Sequence, residues 1–160
     1  MTIRVIKLFI VSLLYGLSTL TFSFSDWTWL YGIHYSDLQQ SKNGRKHIIF
    51  FEKKDIPSFT QLIISWNAFR PLVGYFSFEL RVRDEKSGLW SNWKQMHQWG
   101  NGIQRSYYVP SDGVAQVNHV RLELDKGKSS NAFAVRIKAH NGAKLSGVTN
   151  CYVCTSRIDH

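Results

Sequence analysis

The amino-acid sequence predicts an all-β protein, an antiparallel, jelly-roll-like β-sandwich of seven to eight short strands after an N-terminal signal helix. Three observations carry this expectation. From about residue 48 onward, apolar and polar side chains alternate with a period of two, the pattern of strands that cover a core with one face and meet water with the other. Clusters of Gly, Asn, Asp, Ser and Pro punctuate the runs, as turns require. The three-to-four spacing of an amphipathic helix fits none of these runs.

The elements follow in chain order. In MTIRVIKLFIVSLLYGLSTLTFSFS (1–25), Arg4 and Lys7 precede a mainly apolar stretch from Leu8 to Leu20, and the small residues Ser23 and Ser25 stand before Asp26. That order is the one of a secretory signal peptide. A spanning helix needs about 20 mostly apolar residues, whereas Ser12, Gly16, Ser18, Thr19 and Thr21 interrupt this run. The alternative is an uncleaved leader, the one route by which the chain would be held at a membrane. Both readings place the protein outside the cytoplasm, secreted or periplasmic.

Residues 26–46 read as a lead-in segment, either an N-terminal strand plus a loop or a stretch packed across the sandwich. The sandwich itself is assigned to 47–160, with strands expected at 47–52, 60–66, 75–83, 90–98, 104–109, 119–125, 132–139 and 147–154. YFSFELRVR (75–83) turns Phe76, Phe78, Leu80 and Val82 inward and Ser77, Glu79, Arg81 and Arg83 outward. HVRLELD (119–125) does the same with Val120, Leu122 and Leu124, and AFAVRIKA (132–139) with Phe133, Val135 and Ile137. Reversals are expected at 84–88, 110–113, 127–131 and 141–142.

The 160 residues carry a formal charge of +9. Removing the leader takes Arg4 and Lys7 from the twenty basic residues and none of the eleven acidic ones, leaving +7. Such a charge favours anionic surfaces. Its carriers are scattered as Arg45/Lys46, Lys53/Lys54 and Arg81/Arg83 rather than gathered into a tract, so specific nucleic-acid recognition is not expected. Two cysteines stand in VTNCYVCTS. A zinc site would need two further ligands at short spacing, and in an extended segment residues three apart point to opposite faces. Cys151 and Cys154 therefore read as a buried or half-buried thiol pair rather than a disulfide or redox couple.

No Gly-rich phosphate loop, G-x-S-x-G elbow or H-E-x-x-H helix is present. Of the carboxylates that a glycoside hydrolase would need, Glu79 and Glu123 read as solvent-facing strand residues, and Asp84 and Glu85 as turn residues. No cofactor, metal or catalytic residue is expected. The stretch GLWSNWKQMHQWG (88–100) instead concentrates three tryptophans among amides. Full burial of one indole removes about 150–250 Å² from water, an upper bound of about 4–6 kcal/mol at about 25 cal/mol per Å². A marginally stable domain would not leave all three exposed. Uninterrupted strand alternation sets Trp90 and Trp93 on opposite faces, with Trp93 and Trp99 sharing one. One face would then be core and the other a platform, where flat rings stack on a ligand and amides bond its rim. The candidate ligand-binding residues are Trp90, Trp93, His97 and Trp99, with Arg81 and Arg83 supplying charge. Arg70, Tyr107 and Tyr108 form a second rank.

Several linked motifs extend the reading: Ile64, Ser65, Trp66, Asn67, Ala68 and Pro71; then Arg81, Val82 and Arg83; then Trp90, Ser91 and Trp93; then Trp99 and Gly100. Taken together, over roughly residues 56–155, they make the chain resemble the non-catalytic N-terminal β-domain of secreted bacterial papain-like cysteine peptidases of the bacteriocin-processing type. The resemblance implies an accessory β-domain ahead of a peptidase domain. It carries no nucleophile over, because neither Cys151 nor Cys154 has the upstream glutamine or following glycine of that family's catalytic segment, and the sequence ends at His160. The expected function is a non-catalytic secreted binding module contacting a cell-envelope glycan or other polymer, a peptide or a partner protein. The alternative is a structural or assembly protein of the bacterial envelope with no small ligand.

Overall fold

The computed structural model describes residues 28–34 and 48–158; the leader expected at 1–25 lies outside them. It is all-β apart from one 3₁₀ turn at Leu145–Gly147. The strands are β1 (Thr28–His34), β2 (Ile48–Lys53), β3 (Gln61–Ala68), β4 (Tyr75–Asp84), β5 (Lys94–Gly100), β6 (Ile103–Val109), β7 (Ala115–His119), β8 (Arg121–Leu124), β9 (Ser130–His140) and β10 (Val148–Ser156). All neighbours are antiparallel, in the order β1-β10-β3-β8-β7-β6-β5-β4-β9-β2.

The sheet folds over itself into two layers, and β6 is the strand that passes between them. Its first half, Ile103–Ser106, pairs with β5, and its second half, Tyr107–Val109, pairs with β7. One layer is thus β1-β10-β3-β8-β7 and the other β5-β4-β9-β2. The chain crosses between them repeatedly, as in a jelly roll.

The alternation read from the sequence explains the core. Register pairs Phe76 with Ala139, Phe78 with Ile137, Leu80 with Val135 and Val82 with Phe133, so these side chains share the inner face of the β4–β9 ladder and all but Ala139 are fully buried. Leu62, Ile64, Val117, Leu122, Cys151 and Val153 oppose them from the other layer in one apolar cluster. Trp66 of β3 stacks on Phe78 of β4 with ring centroids 4.0 Å apart. Each fully buried Phe, Leu, Ile or Val of this core contributes about 1.5–3 kcal/mol.

Four features differ from expectation. Among the described residues ten strands form where seven to eight were expected. The run 119–125 is not one strand: His119 adopts φ 56° and ends β7, so Val120 sits exposed at the β7–β8 tip instead of pointing inward. Left-handed backbone of this kind reverses a chain. The strand expected at 90–98 begins at Lys94 and ends at Gly100. Glu79 lies on the outer face of β4 but is buried there, under Arg136 and Lys138. Within the lead-in segment, Thr28–His34 pairs with β10 as β1. Both cysteines are free thiols, Cys151 buried in the core and Cys154 half-buried. Burial pushes the Cys151 thiol up to about 12.

Candidate functional site

The structure divides the sequence-selected residues between two places. Trp90, Trp93, Arg81 and Arg83 belong to the outer side of the β5-β4-β9-β2 layer. The Arg81 guanidinium stands 4.5 Å from the Trp90 ring centre and 4.8 Å from that of Trp93, and Arg136 covers Trp93 at 4.2 Å. Phe50 of β2 meets Trp93 edge-on at 6.1 Å. Glu79 holds Arg136 and also Lys138, the latter at 2.8 Å, while Glu52 lies 3.6 Å from Arg81. Arg83 Nη2 donates to Asn131 Oδ1 at 3.0 Å. These cations are engaged by rings, carboxylates and an amide of the protein itself.

Trp90 and Trp93 therefore share one guanidinium on one side of the layer, and Trp99 lies on the other, which reverses the expected pairing of faces. The cause is local. Residues 91–93 are not strand, and a β-bulge breaks the alternation: Phe78 pairs with His97 but Glu79 with Gln95, leaving Met96 as the extra residue. A bulge shifts every later side chain to the other face. His97 and Trp99 turn inward as a result.

They turn into a cleft. Pairing of β3 with β8 covers only Gln61–Ile63, because β8 starts at Arg121. Beyond that point the second half of β3 lies apart from the first half of β6, which is held in the other layer by β5. Between them opens a cleft of about 770 Å³, with Trp66, His97 and Trp99 on its inner surface and Gln104, Arg105 and Val120 among its other lining residues. Trp66 lies tilted against His97 at 4.8 Å. Arg70 reaches over Trp99 at 4.0 Å, donating from Nη1 to the Gly100 carbonyl at 3.0 Å and from Nη2 to Gln104 Oε1 at 3.3 Å. Trp99 Nε1 is buried without a hydrogen-bond partner. Tyr107 donates its hydroxyl to Gln98 Oε1 at 2.5 Å and Tyr108 is exposed; neither lines the cleft.

The electrostatics of the cleft are simple. His97 is 8 % exposed, and removal from water pushes its pKa down to about 4, so near neutral pH it presents an uncharged ring. Arg105 is the charged residue of the lining, and none of the lining residues is a carboxylate. Among the described residues no three His, Cys, Asp or Glu converge as metal ligands. Flat apolar rings below and amide or guanidinium groups at the rim are groups able to stack on and hydrogen-bond a ligand.

The sequence reading selected His97, Trp99 and Arg70 but missed Trp66, Gln104 and Arg105 as cleft residues. Trp66 had a signal: it continues the inward alternation of Leu62 and Ile64 to the end of a strand, where a core ring reaches a sheet's rim. Gln104 and Arg105 had none, since only the change of layer within β6 brings them there.

A family model described as the Peptidase C39 N-terminal domain matches residues 52–151. No curated relative matches the sequence. Among solved structures, the chain is similar to a carbohydrate-binding module specific for non-crystalline cellulose (11% identity, TM-score 0.35), covering 84% of this chain and 74% of that one. A protein from Sulfurospirillum deleyianum shares 10% identity at TM-score 0.30, over 82% of this chain and 98% of its own. The modules of an N-terminal endo-1,4-β-D-xylanase 10B from Clostridium thermocellum share 10% identity at TM-score 0.29, over 83% of this chain and 25% of theirs. Likeness at that level fixes no ligand.

Proposed function

The chain belongs to the Peptidase C39 N-terminal domain family, and from that premise we propose that it is a non-catalytic, exported binding module that holds a cell-envelope polymer or peptide in the cleft between β3 and β6. One observation carries the reading: three rings, Trp66, His97 and Trp99, are brought together from β3 and β5 on the inner surface of an open cleft with amide and guanidinium groups beside them. A core needs no such opening, and a proton-transfer site would need an acid or base that titrates near the working pH, which the buried His97 does not supply. Export rests on the leader read from residues 1–25.

Val120 lines the cleft and is exposed, so Val120→Trp obstructs the opening without disturbing the core. Retention of the protein on purified envelope fragments should fall by about tenfold or more, the equivalent of about 1.4 kcal/mol, with an unchanged melting temperature. Trp93→Ala, which alters the outer face alone, should leave retention intact. Undiminished retention of Val120→Trp together with loss in Trp93→Ala would move the site to the outer face.

A further inference from the structure

The cleft is also a gap in a sheet, and the backbone beside it is directional. The Asn67 carbonyl accepts from Thr149 Oγ1 at 3.1 Å, and the Phe69 N–H donates to the Gly147 carbonyl at 2.9 Å; both point toward β10. In an antiparallel strand the N–H and C=O of one residue point to the same side and successive residues alternate. The polar groups of Trp66 and Ala68 accordingly point the other way, into the gap. That is the side on which the Thr60 carbonyl accepts from Leu124 N–H, at 2.9 Å, and on which Gln61–Ile63 pairs with β8. β8 ends this pairing at Arg121, and the exposed tip at Val120 closes the gap at that end.

We propose that the ligand of the cleft is an extended acidic peptide that adds as a strand to the free half-edge of β3, in line with β8 and antiparallel to β3. This rests on the cleft being the binding site and names what enters it. The open edge from Ile64 to Ala68 is about 16 Å long at about 3.3 Å per residue, enough for a five- or six-residue segment. Main-chain pairing supplies affinity in such additions, and alternate side chains select. Here one set of side chains meets Trp66 and Trp99, and the other points outward. Phe69, 75 % exposed, stands at the end of β3 where the peptide enters. Charge chooses the partner: Arg105 in the lining and Arg70 across Trp99 face no lining carboxylate.

The test is calorimetric titration of the protein with acetylated hexapeptides alternating valine with glutamate or valine with lysine, and with a soluble N-acetylglucosamine hexamer. The glutamate series should bind, about tenfold more tightly than the lysine series, the factor expected for one charged hydrogen bond. N-methylation of one alternate set of its amides should cost about tenfold again, and methylation of the complementary set nothing. Ala68→Pro, which removes an N–H facing the gap, should reproduce the loss. The methylated peptides decide the matter even where that variant fails to fold. Equal binding of the two methylated sets overturns strand addition, and equal or tighter binding of the lysine series overturns the acidic partner. Binding of the sugar hexamer alone, blocked by Val120→Trp, removes the peptide while leaving the cleft as a binding site; silence from every probe removes both.

Discussion

At the scale of single residues, the cleft's imidazole is also a stability sensor. His97 sits against Trp66 in the interior, and desolvation lowers its pKa from 6.5 to about 4. The folded protein refuses the proton that the unfolded chain accepts. Stability from this group is complete above pH 6.5, declines as the pH falls from 6.5 toward about 4, and is level below that. Burial moves His140 in the same direction, so the contribution of His97 is read by difference. The drop in urea midpoint between pH 7.5 and pH 5 should be smaller in His97→Gln than in the parent. Equal drops in the two proteins would show that His97 protonates as freely in the folded state as in the unfolded one. Lys94 shows how else burial is tolerated. Its ammonium, 2 % exposed, is held by the Pro110 carbonyl at 3.2 Å and by Asp112 at 3.4 Å, since an unpaired buried charge is costly.

At the scale of elements, the β5–β6 hairpin depends on close contact with β4. A Cβ on Gly100 would run into the Tyr75 backbone and lie 2.5 Å from the Gly74 carbonyl oxygen, and neither strand can yield without losing its register. Gly102, at the turn, has φ +68° and open space around it. Gly100→Ala should therefore destabilise by about 3 kcal/mol, as overpacking against rigid neighbours does, and Gly102→Ala by about 1 kcal/mol, the left-handed backbone cost. Thermal or urea unfolding separates the two, and a Gly102 variant that suffers more than the Gly100 one would contradict this account. Legibility in the sequence follows the same divide between local and non-local causes. β4 and β9 were readable because over residues 76–82 and 133–139 their periods are unbroken and one face is apolar; the register between them shifts only beyond Val82. The position of Trp99 was not, because the bulge at Met96 leaves no mark in residue types, and a single inserted residue exchanges core for surface. The β7–β8 reversal at His119 and Val120 lacks glycine or proline and so resembled continuous strand. The cleft was least legible of all: it exists because β3 loses its partner on one edge and β6 changes its own partway along their lengths, a property of the sheet and of no segment.

At the scale of the molecule, the two layers are held by one shared interior, and β6 makes them a single hydrogen-bonded sheet. Neither layer then has a core of its own to retain when the other leaves, so opening of the sandwich should be all-or-none. Cys151 reports on this directly. It projects from β10 into the cluster containing Leu122 and Phe133, and its thiol, raised to about 12, is unreactive while folded because the thiolate is the attacking form. In a Cys154→Ser background, the free energy of exposing Cys151 to a thiol reagent under fast-reclosing conditions should equal the global unfolding free energy. Leu80→Ala, on the β4–β9 ladder across that core from Cys151, should lower both by the same amount, about 2–5 kcal/mol. Labelling of Cys151 at a much smaller free energy than global unfolding would mean that β10 opens with its layer while the β4–β9 ladder stays folded, and the two layers would then be separate cooperative units.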